Sequence, residues 1–309
     1  MAESIKVFAP ATVANVTCGF DILGFAVDQP GDEVTLILTS TSKVKITAIF
    51  GDGGVLPLDP EKNTCGAVVK MFLSAIESDQ GVDIILHKKM PLGSGLGSSA
   101  ASAVAAVFGI NKLMGDPMTN QQLLLFAMEG ERIACGAAHA DNVAPGLFGG
   151  FVLIRSYDPL DVVELPTPSE LFATLVHPQI EVKTKDARAI LRKQIFFEDS
   201  VKQSGNVAGL IAGLLMSDYS LISRSMQDYI VEPARSILIP GFEDVKDASM
   251  NLGAIGAGIS GSGPSVFALS QRRDTALKIA QKMQELYTDL DIESETYVSG
   301  INRQGPRIL

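Results

Sequence analysis

A glycine-rich run leads directly into a stretch of helix-forming residues at positions 90–114, and this junction constrains the fold more than any other part of the chain. From residue 90 the sequence reads Met-Pro-Leu-Gly-Ser-Gly-Leu-Gly-Ser-Ser-Ala-Ala-Ser. Gly93, Gly95 and Gly97 allow the backbone to turn its N–H groups inward without obstruction by a Cβ atom. A helix that begins near Ser98 adds four unpaired N–H groups and the positive end of a helix dipole. The junction therefore predicts a loop that binds phosphate groups.

The loop does not match the two commonest phosphate-binding patterns. It lacks the Gly-Lys-Ser/Thr of a Walker A loop, and no acidic residue follows at the position expected for a dinucleotide-binding fold. Because the loop has no lysine, Mg²⁺ is the natural counter-charge for the phosphates, with Ser98 or Ser99 as an oxygen ligand and a distant carboxylate completing the site. An isolated motif of this length is also typical of a flexible Gly/Ser turn.

Composition excludes several classes of protein. The chain has 309 residues, 46% of them hydrophobic, which is enough for two compact domains. Its 35 acidic and 25 basic residues give a net charge of -10, which argues against nucleic acid as a partner. The three cysteines, Cys18, Cys65 and Cys135, are widely spaced and predict reduced thiols rather than a disulfide framework or a zinc site. No signal peptide and no run of roughly 20 apolar residues is seen, so we expect a cytoplasmic protein without a membrane partner.

Hydrophobic spacing predicts a mixed α+β chain. The predicted strands are Ile5–Ala9, Glu33–Leu38, Lys43–Phe50, Val82–His87, Leu147–Ile154, Leu171–His177, Ala254–Ile259, Ser265–Leu269 and Glu293–Val298. The predicted helices are Asn63–Glu77, Ser98–Met114, Thr119–Ile133, Ser200–Met216 and Thr275–Tyr287, the third beginning with a Thr-x-x-Gln capping box. The stretch Tyr157–Ser169, which contains three prolines, is the predicted linker, and the domains are expected at residues 1–160 and 161–309.

Three motifs, in order along the chain, resemble those of the GHMP kinases. They are Ala9-Pro-Ala-Thr-Val-Ala-Asn-Val-Thr-Cys-Gly-Phe-Asp-Ile-Leu-Gly24, the loop from Pro91 to Ala100, and Ile259-Ser-Gly-Ser-Gly-Pro-Ser265. The resemblance implies a two-domain GHMP kinase fold, with a ribosomal protein S5 domain 2-like N-terminal domain that binds ATP and a ferredoxin-like C-terminal domain. The chain departs from the first motif at Thr17-Cys18, where Gly-Pro is commoner, which puts the local loop geometry in question.

The segment from Glu129 to Gly146 resembles the homoserine kinase branch of these enzymes, with Glu131, then Cys-Gly, then His-x-Asp-Asn-x-x-Pro. The resemblance implies that ATP and Mg²⁺ are used to phosphorylate the hydroxyl of L-homoserine in threonine biosynthesis. It assigns catalytic roles to Glu131, Ser99 and Asn142, and metal binding to Ser99 and Glu131. It assigns the amino acid to Asn15, Asp21, Asn142, Thr184, Arg188 and Arg235, in a cleft between the domains. It assigns the nucleotide to Asn63, Pro91, Leu92, Gly93, Ser94, Gly95, Leu96, Gly97, Ser98, Ser99, Ala100, Ala101, Gly261 and Gly263.

Several alternatives stay open at the level of sequence. Asn63 fits a helix N-cap as well as an adenine contact. His139 is expected beside the site and not as a catalyst, and Cys18 is expected in packing. Another GHMP kinase, of the mevalonate or diphosphocytidyl-methylerythritol type, and a non-catalytic nucleotide or amino-acid sensor on the same fold are the competing functions. A homodimer is compatible with the sequence.

Overall fold

The structure is a computed structural model and describes residues 3–136 and 138–309. Its strands are β1 (Ser4–Ala14), β2 (Leu23–Thr39), β3 (Val44–Phe50), β4 (Gly81–His87), β5 (Phe151–Tyr157), β6 (Leu160–Leu165), β7 (Phe172–Pro178), β8 (Gly256–Ile259), β9 (Val266–Ser270), β10 (Ser294–Gly300) and β11 (Arg307–Ile308). Its α-helices are α1 (Thr64–Ala75), α2 (Ser98–Leu113), α3 (Asn120–Cys135), α4 (Ala140–Phe148), α5 (Thr184–Ala189), α6 (Phe197–Met216), α7 (Tyr219–Ser225), α8 (Glu232–Arg235), α9 (Phe242–Asn251) and α10 (Arg273–Asp289).

The first sheet has the strand order β11-β1-β2-β4-β3, and β5 pairs with the start of β2 and with β6. β3 and β4 are parallel and are joined through α1, whereas the other pairs are antiparallel. Helices α1 and α2 pack on this sheet, and α3 packs on α1 and α2, around buried Phe72, Val104 and Leu123. The predicted capping box at the start of α3 is confirmed, since Thr119 and Gln122 exchange hydrogen bonds.

Helix α4 was not predicted, and the strand expected at Leu147–Ile154 is wrong in its first half. The Pro145-Gly146 pair suggested a break, yet α4 continues through Pro145 as far as Phe148, and β5 begins only at Phe151. Pro145 has no N–H to donate to the carbonyl four residues earlier. That carbonyl, of Asp141, lies so close to Gly24 that a Cβ there would come within 1.9 Å of it, so α4 packs tightly on the start of β2.

The predicted linker Tyr157–Ser169 contains regular structure instead. β6 forms an antiparallel hairpin with β5 in the first sheet, because the prolines at 159, 166 and 168 lie outside the paired residues. The division into domains at residues 160 and 161 stays a prediction. It places all but the first residue of β6, a strand of the first sheet, in the second domain.

The second sheet is antiparallel and has the strand order β10-β7-β9-β8. Numbered within the sheet this is 4-1-3-2, and α10 connects its third strand to its fourth, which is the β-α-β-β-α-β arrangement of a ferredoxin-like fold. Its core contains Phe242, Met283 and Tyr287. The chain then returns to the first sheet, where β11 pairs with β1. Within residues 3–136 and 138–309, we find no helix long and apolar enough to cross a bilayer.

Candidate active site

A cavity of about 500 Å³ lies between the glycine loop of the first domain and residues of the second sheet and its helices. Predicted site residues line it from both domains: Asn15, Asp21, Asn63, Leu92, Gly93, Ser94, Gly95, Gly97, Ser98, Ser99, Glu131, Asn142, Thr184, Arg188, Arg235 and Gly261. Five predicted nucleotide residues do not line the cavity: Pro91, Leu96, Ala100, Ala101 and Gly263. Leu96, Ala100 and Ala101 are buried in the core beneath the loop, which explains their apolar character.

The loop presents its backbone to the cavity as predicted. Gly93, Gly95 and Gly97 all have φ between 67° and 77°, and Gly97 is the N-cap of α2 in the left-handed conformation. A Cβ at Gly97 would also come within 2.1 Å of the Thr12 hydroxyl and 2.9 Å of Asn142 Oδ1. Glycine is therefore required at residue 97 both for its conformation and for the close approach of its neighbours.

A buried ion pair that the sequence analysis missed holds the loop to β2. Lys88 and Asp32 are 2% and 0% exposed, and their side chains form a salt bridge. Lys88 Nζ also donates to the Ser98 carbonyl at 2.8 Å and to the Ser102 hydroxyl at 2.7 Å. Asp32 accepts hydrogen bonds from the Lys89 N–H and the Ser98 hydroxyl. All three Lys88 donors are therefore used within the protein, and the lysine fixes the start of α2.

The two serines considered as metal ligands have different hydrogen-bond partners. The Ser98 hydroxyl donates to Asp32 at 2.9 Å. Ser99, the next residue, forms a hydrogen bond with Glu131 of α3, and both residues line the cavity. Only the Ser99 hydroxyl is thus placed beside the carboxylate that was predicted to bind Mg²⁺.

Glu131 occupies an unusual electrostatic environment. Burial raises the pKa of its carboxyl to about 7, while the Ser99 hydrogen bond and the Lys88 charge oppose this rise. The described residues include no cluster of three or more His, Cys, Asp or Glu side chains that could hold a metal by itself. One carboxylate and one hydroxyl beside a phosphate-binding loop fit Mg²⁺, which takes most of its remaining ligands from substrate phosphates and water.

Asn142 and Thr12 form a pair on the wall between the loop and α4. The buried Thr12 hydroxyl donates to Asn142 Oδ1 at 2.8 Å. Asn142 lines the cavity, and with its oxygen bonded to Thr12 its amide NH₂ is the group that can donate to a ligand. Asp141, the preceding residue, is buried, and its Oδ1 has no hydrogen-bond partner among the described residues. Burial, followed by the charges of Asp21 and Glu131, raises the pKa of Asp141 to about 7.

In another part of the cavity, Asp21 and Arg188 form a bidentate ion pair. Arg188 donates to the two Asp21 carboxylate oxygens at 3.0 and 2.8 Å. The two residues belong to different domains and are 167 positions apart. Because a bidentate pair holds the two groups in one plane, the acidic and basic partners expected for an amino acid lie side by side.

Arg235 and Thr184 line the same cavity as this ion pair. Arg235 is 3% exposed and donates to the carbonyls of Ala187 and Gly261 at 3.0 and 2.9 Å. The guanidinium groups of Arg188 and Arg235 lie 5.3 and 5.1 Å from the centre of the Phe20 ring, which is cation–π distance. Thr184 begins α5 and shares a hydrogen bond with Ser262. Two guanidinium groups are therefore held around one aromatic ring in the wall of the cavity.

Two predicted site asparagines are already used by the protein. Asn63 Oδ1 caps α1 by accepting the Cys65 N–H, and its amide donates to the Pro57 carbonyl, so its interpretation as an N-cap is confirmed. Asn15 donates to the Gly261 carbonyl at 2.7 Å and accepts the Asp21 N–H at 3.1 Å. Asn15 thus joins the first motif to the third. Their contacts with ligand stay predictions.

The departure at Thr17-Cys18 has a visible structural consequence. Asn15, Val16 and Thr17 all have positive φ, 61° at Thr17, a conformation that glycine adopts freely and a β-branched residue only with strain. Cys18 is buried, and burial raises the pKa of its thiol to about 12, as expected for a packing residue. Cys18 and Cys65 are free thiols, and the side chain of Cys135 lies outside the described residues.

Sequence reasoning missed several residues that line the site or hold it in place, chiefly Asp32, Lys88, Phe20, Thr12 and Asp141. Lys88 stands just before the glycine loop, and that position was its one signal. Nothing in the sequence indicates that Asp32, 56 residues earlier, lies beside it. Phe20 and Asp141 stand within quoted motifs, next to residues that were assigned roles.

Comparisons with known proteins agree with this geometry. The model of the GHMP kinases N terminal domain matches residues 63–150, and that of the GHMP kinases C terminal matches residues 210–289. The homoserine kinase of Chlorobium phaeobacteroides is 51% identical, with 99% of this chain and 100% of the relative covered. The homoserine kinase of Xylella fastidiosa is 38% identical and covers 100% of this chain, with 95% of its own length matched.

Solved structures extend the comparison to three dimensions. The crystal structure of homoserine kinase from Cytophaga hutchinsonii has a TM-score of 0.98 and 62% identity, with 100% of this chain and 98% of that chain covered. A mevalonate kinase structure superimposes with a TM-score of 0.72 at 13% identity, covering 98% of this chain and 100% of the other, which reflects the fold alone.

The two-domain fold, the glycine loop at the start of α2 and the cavity between the domains define a GHMP kinase. Full-length identity to the curated relatives narrows the class further. The chain belongs to the homoserine kinase family.

Proposed function

We propose that this chain transfers the γ-phosphoryl group of ATP to the hydroxyl of L-homoserine, forming O-phospho-L-homoserine in threonine biosynthesis. One observation carries the proposal. Asp21, Arg188, Thr184 and Arg235 line the same cavity as the glycine loop, with Asp21 and Arg188 paired and both guanidinium groups against the Phe20 ring, and we call this part of the cavity the acceptor end. An acid beside two arginines matches the ammonium and carboxylate of an amino acid. The names of the full-length relatives support the same substrate.

On the nucleotide side, the backbone N–H groups of the loop and the start of α2 bind the phosphates of ATP. Ser99 and Glu131 would hold Mg²⁺. When bound, the ion neutralises the charge that develops on the β- and γ-phosphates. Lys88 keeps the loop in place through Asp32 and Ser98, so the phosphate donors are oriented before ATP arrives.

On the acceptor side, Arg188, Arg235 and Thr184 bind the carboxylate, and Asp21 binds the ammonium. For this to happen, the zwitterion replaces the Asp21–Arg188 ion pair with one contact to each partner. The Asn142 amide, held by Thr12, then orients the hydroxyl toward the phosphate. Phosphoryl transfer needs such positioning more than covalent help from the protein.

The experiment that tests the proposal is a coupled ADP-release assay with ATP, Mg²⁺ and L-homoserine. Mevalonate and diphosphocytidyl-methylerythritol, which carry no ammonium group, serve as competing acceptors in parallel. We expect ADP release that depends on L-homoserine. ADP release with mevalonate or diphosphocytidyl-methylerythritol but not with L-homoserine would support another GHMP kinase. No ADP release with any acceptor would support a sensor.

We further propose that the chain works in the cytoplasm, as a homodimer or as a monomer, without nucleic acid or membrane as a partner. The net charge of -10 supports the exclusion of nucleic acid. Size-exclusion chromatography with light scattering distinguishes the monomer of 32.7 kDa from a dimer.

A further inference from the structure

The hydroxyl of Tyr157 joins two segments that contribute to the acceptor end of the cavity. Tyr157 ends β5, at the turn into β6. Its hydroxyl donates to the Asp21 carbonyl at 2.8 Å and accepts the Ala140 N–H at 3.2 Å. A phenol has one proton to donate and can accept in return, so both functions of this hydroxyl are used. Tyr157 was not among the predicted site residues and does not line the cavity.

Each of the two hydrogen bonds satisfies a backbone group, the Asp21 carbonyl in one case and the Ala140 N–H in the other. Asp21 has φ of 61°, an uncommon conformation for an aspartate, and both of its backbone polar groups are held by side chains: its N–H by Asn15 and its carbonyl by Tyr157. Ala140 is the first residue of α4, whose N-cap residue, His139, makes no side-chain capping bond. The Tyr157 hydroxyl therefore takes one of the N–H groups that a helix start leaves unpaired.

The two segments carry opposite ends of the proposed amino-acid site. Asp21 lies at the ammonium end, and Asn142, two residues after Ala140, lies at the hydroxyl end. Their separation has to match the length of the substrate, because the hydroxyl must reach the phosphate while the ammonium stays on Asp21. A single side chain bonded to both segments sets that separation directly.

We propose that Tyr157 is a positioning residue for the amino-acid substrate, whose hydroxyl sets the distance between Asp21 and Asn142. This inference rests on the proposed function. Burial of the hydroxyl raises the pKa of Tyr157 well above its ordinary value, so the proton that bonds to Asp21 is retained throughout the working pH range.

The test replaces Tyr157 by Phe, which removes one oxygen and keeps the ring. Since Tyr157 is 41% exposed, the variant should fold normally. Tyr297→Phe is the matched control, because the Tyr297 hydroxyl is also hydrogen-bonded, to Glu295, on β10 of the second sheet. Two lost hydrogen bonds predict a rise in KM for L-homoserine of about 5- to 20-fold, with KM for ATP unchanged. The control should keep both constants.

A second measurement separates positioning from a general structural defect. L-Serine and 5-hydroxy-L-norvaline are shorter and longer than L-homoserine by one methylene. If Tyr157 sets the spacing, Tyr157→Phe narrows the kcat/KM ratio of L-homoserine over these analogues by about 3-fold or more, because one lost hydrogen bond has that scale. A variant with native KM, or with an unchanged ratio, would overturn the inference while leaving the proposed function intact. Absence of homoserine-dependent ADP release from the native chain would overturn both.

Discussion

The two ends of the cavity are built by different means. At the proposed nucleotide end, one continuous segment, the glycine loop and the start of α2, supplies the backbone donors for the phosphates. The acceptor end is assembled from residues far apart in the chain, such as Asp21, Asn142, Arg188 and Arg235, which are joined by ion pairs and hydrogen bonds. The nucleotide end therefore depends on backbone geometry and its buried support, whereas the acceptor end depends on how the two domains meet.

Removing the buried support of the nucleotide end should have the largest effect. Lys88→Met leaves the fully buried Asp32 carboxylate without its cation, and we expect the free energy of unfolding to fall by about 3–5 kcal/mol. Lys89→Met is the control, because the ammonium of Lys89 is half exposed and its pair with Glu33 is worth less than about 1 kcal/mol. Urea unfolding followed by circular dichroism measures both, and equal losses would mean that the buried pair does not anchor the loop.

The proposed metal-binding pair, Ser99 and Glu131, should govern turnover without affecting the fold. We expect Glu131→Ala and Ser99→Ala to lower kcat by about 10²- to 10³-fold, the scale of losing one preorganised electrostatic group. Glu129→Ala is the matched control, since Glu129 lies on the same helix, α3, but pairs with Arg132 away from the cavity. Steady-state kinetics over a range of Mg²⁺ concentrations tests the assignment, which fails if Glu131→Ala keeps native turnover and Mg²⁺ dependence.

Substituting the two arginines at the acceptor end should weaken the binding of L-homoserine but not that of ATP. Losing a charge-assisted partner costs roughly 1.5 to 3 kcal/mol, so Arg188→Ala and Arg235→Ala should raise KM for L-homoserine about 10- to 100-fold and leave KM for ATP unchanged. Arg188 is the cleaner test, because Arg235 also supports two backbone carbonyls. Arg224→Ala, at an exposed arginine on α7, is the control.

A substrate without the carboxylate tests whether the arginines act on that group, because the two substrates and the native and variant chains form a thermodynamic cycle. 3-Amino-1-propanol lacks the carboxylate, so it should be a poor substrate of the native chain and lose little further in Arg188→Ala. Equal losses toward both substrates would mean that Arg188 supports the structure or the nucleotide, and not the carboxylate.

Stability should depend on pH through the buried carboxylates of the cavity. The folded-state pKa of Glu131 is about 7, against an ordinary value of 4.5, so the unfolded state loses this proton first as pH rises. The free energy of unfolding should therefore fall between pH 4.5 and 7 and level off above pH 7. The pKa of Asp141 is raised as well. Glu131→Gln should therefore weaken the dependence of the free energy of unfolding on pH without abolishing it. Urea unfolding at pH 5 and pH 8 in metal-free buffer measures the difference, and an unchanged slope would contradict the assignment to Glu131.

The smallest expected effect concerns the ring beneath the two guanidinium groups. Phe20→Leu keeps an apolar side chain but removes the aromatic face that contacts Arg188 and Arg235. A cation–π contact at a partly exposed site contributes about 0.5–1 kcal/mol, so KM for L-homoserine should rise about 2- to 5-fold. Phe108→Leu, beneath Lys112 on α2, is the control. A native KM in Phe20→Leu would show that the ring does not position the arginines.

The features of this protein that could be predicted from its sequence depend on residues that are close together in the chain. The phosphate loop, the capping box at Thr119 and the N-cap at Asn63 depend on conformations and hydrogen bonds within a few residues, so they appear as short patterns. Most of the predicted strands and helices lie within a few residues of their observed bounds because hydrophobic periodicity reports the buried face. The first ten residues of β2 and the short elements β6, β11, α5, α7, α8 and α9 were not predicted. Helix α4 was missed because proline and glycine at 145 and 146 suggested a break, and tight packing against Gly24 overrides that local signal.

Only the tertiary structure decided which groups meet. Lys88 and Asp32, Arg188 and Asp21, and Tyr157 with Asp21 and Ala140 are separated by 17 to 167 positions. No short pattern encodes these pairs, since each of the side chains alone looks like that of an ordinary polar residue and Ala140 contributes only its backbone N–H. The same holds for the two serines at the start of α2, where adjacent and identical side chains point to different partners, Ser98 to Asp32 and Ser99 to Glu131. Side-chain direction on a helix, together with the position of a distant strand and helix, separates their roles.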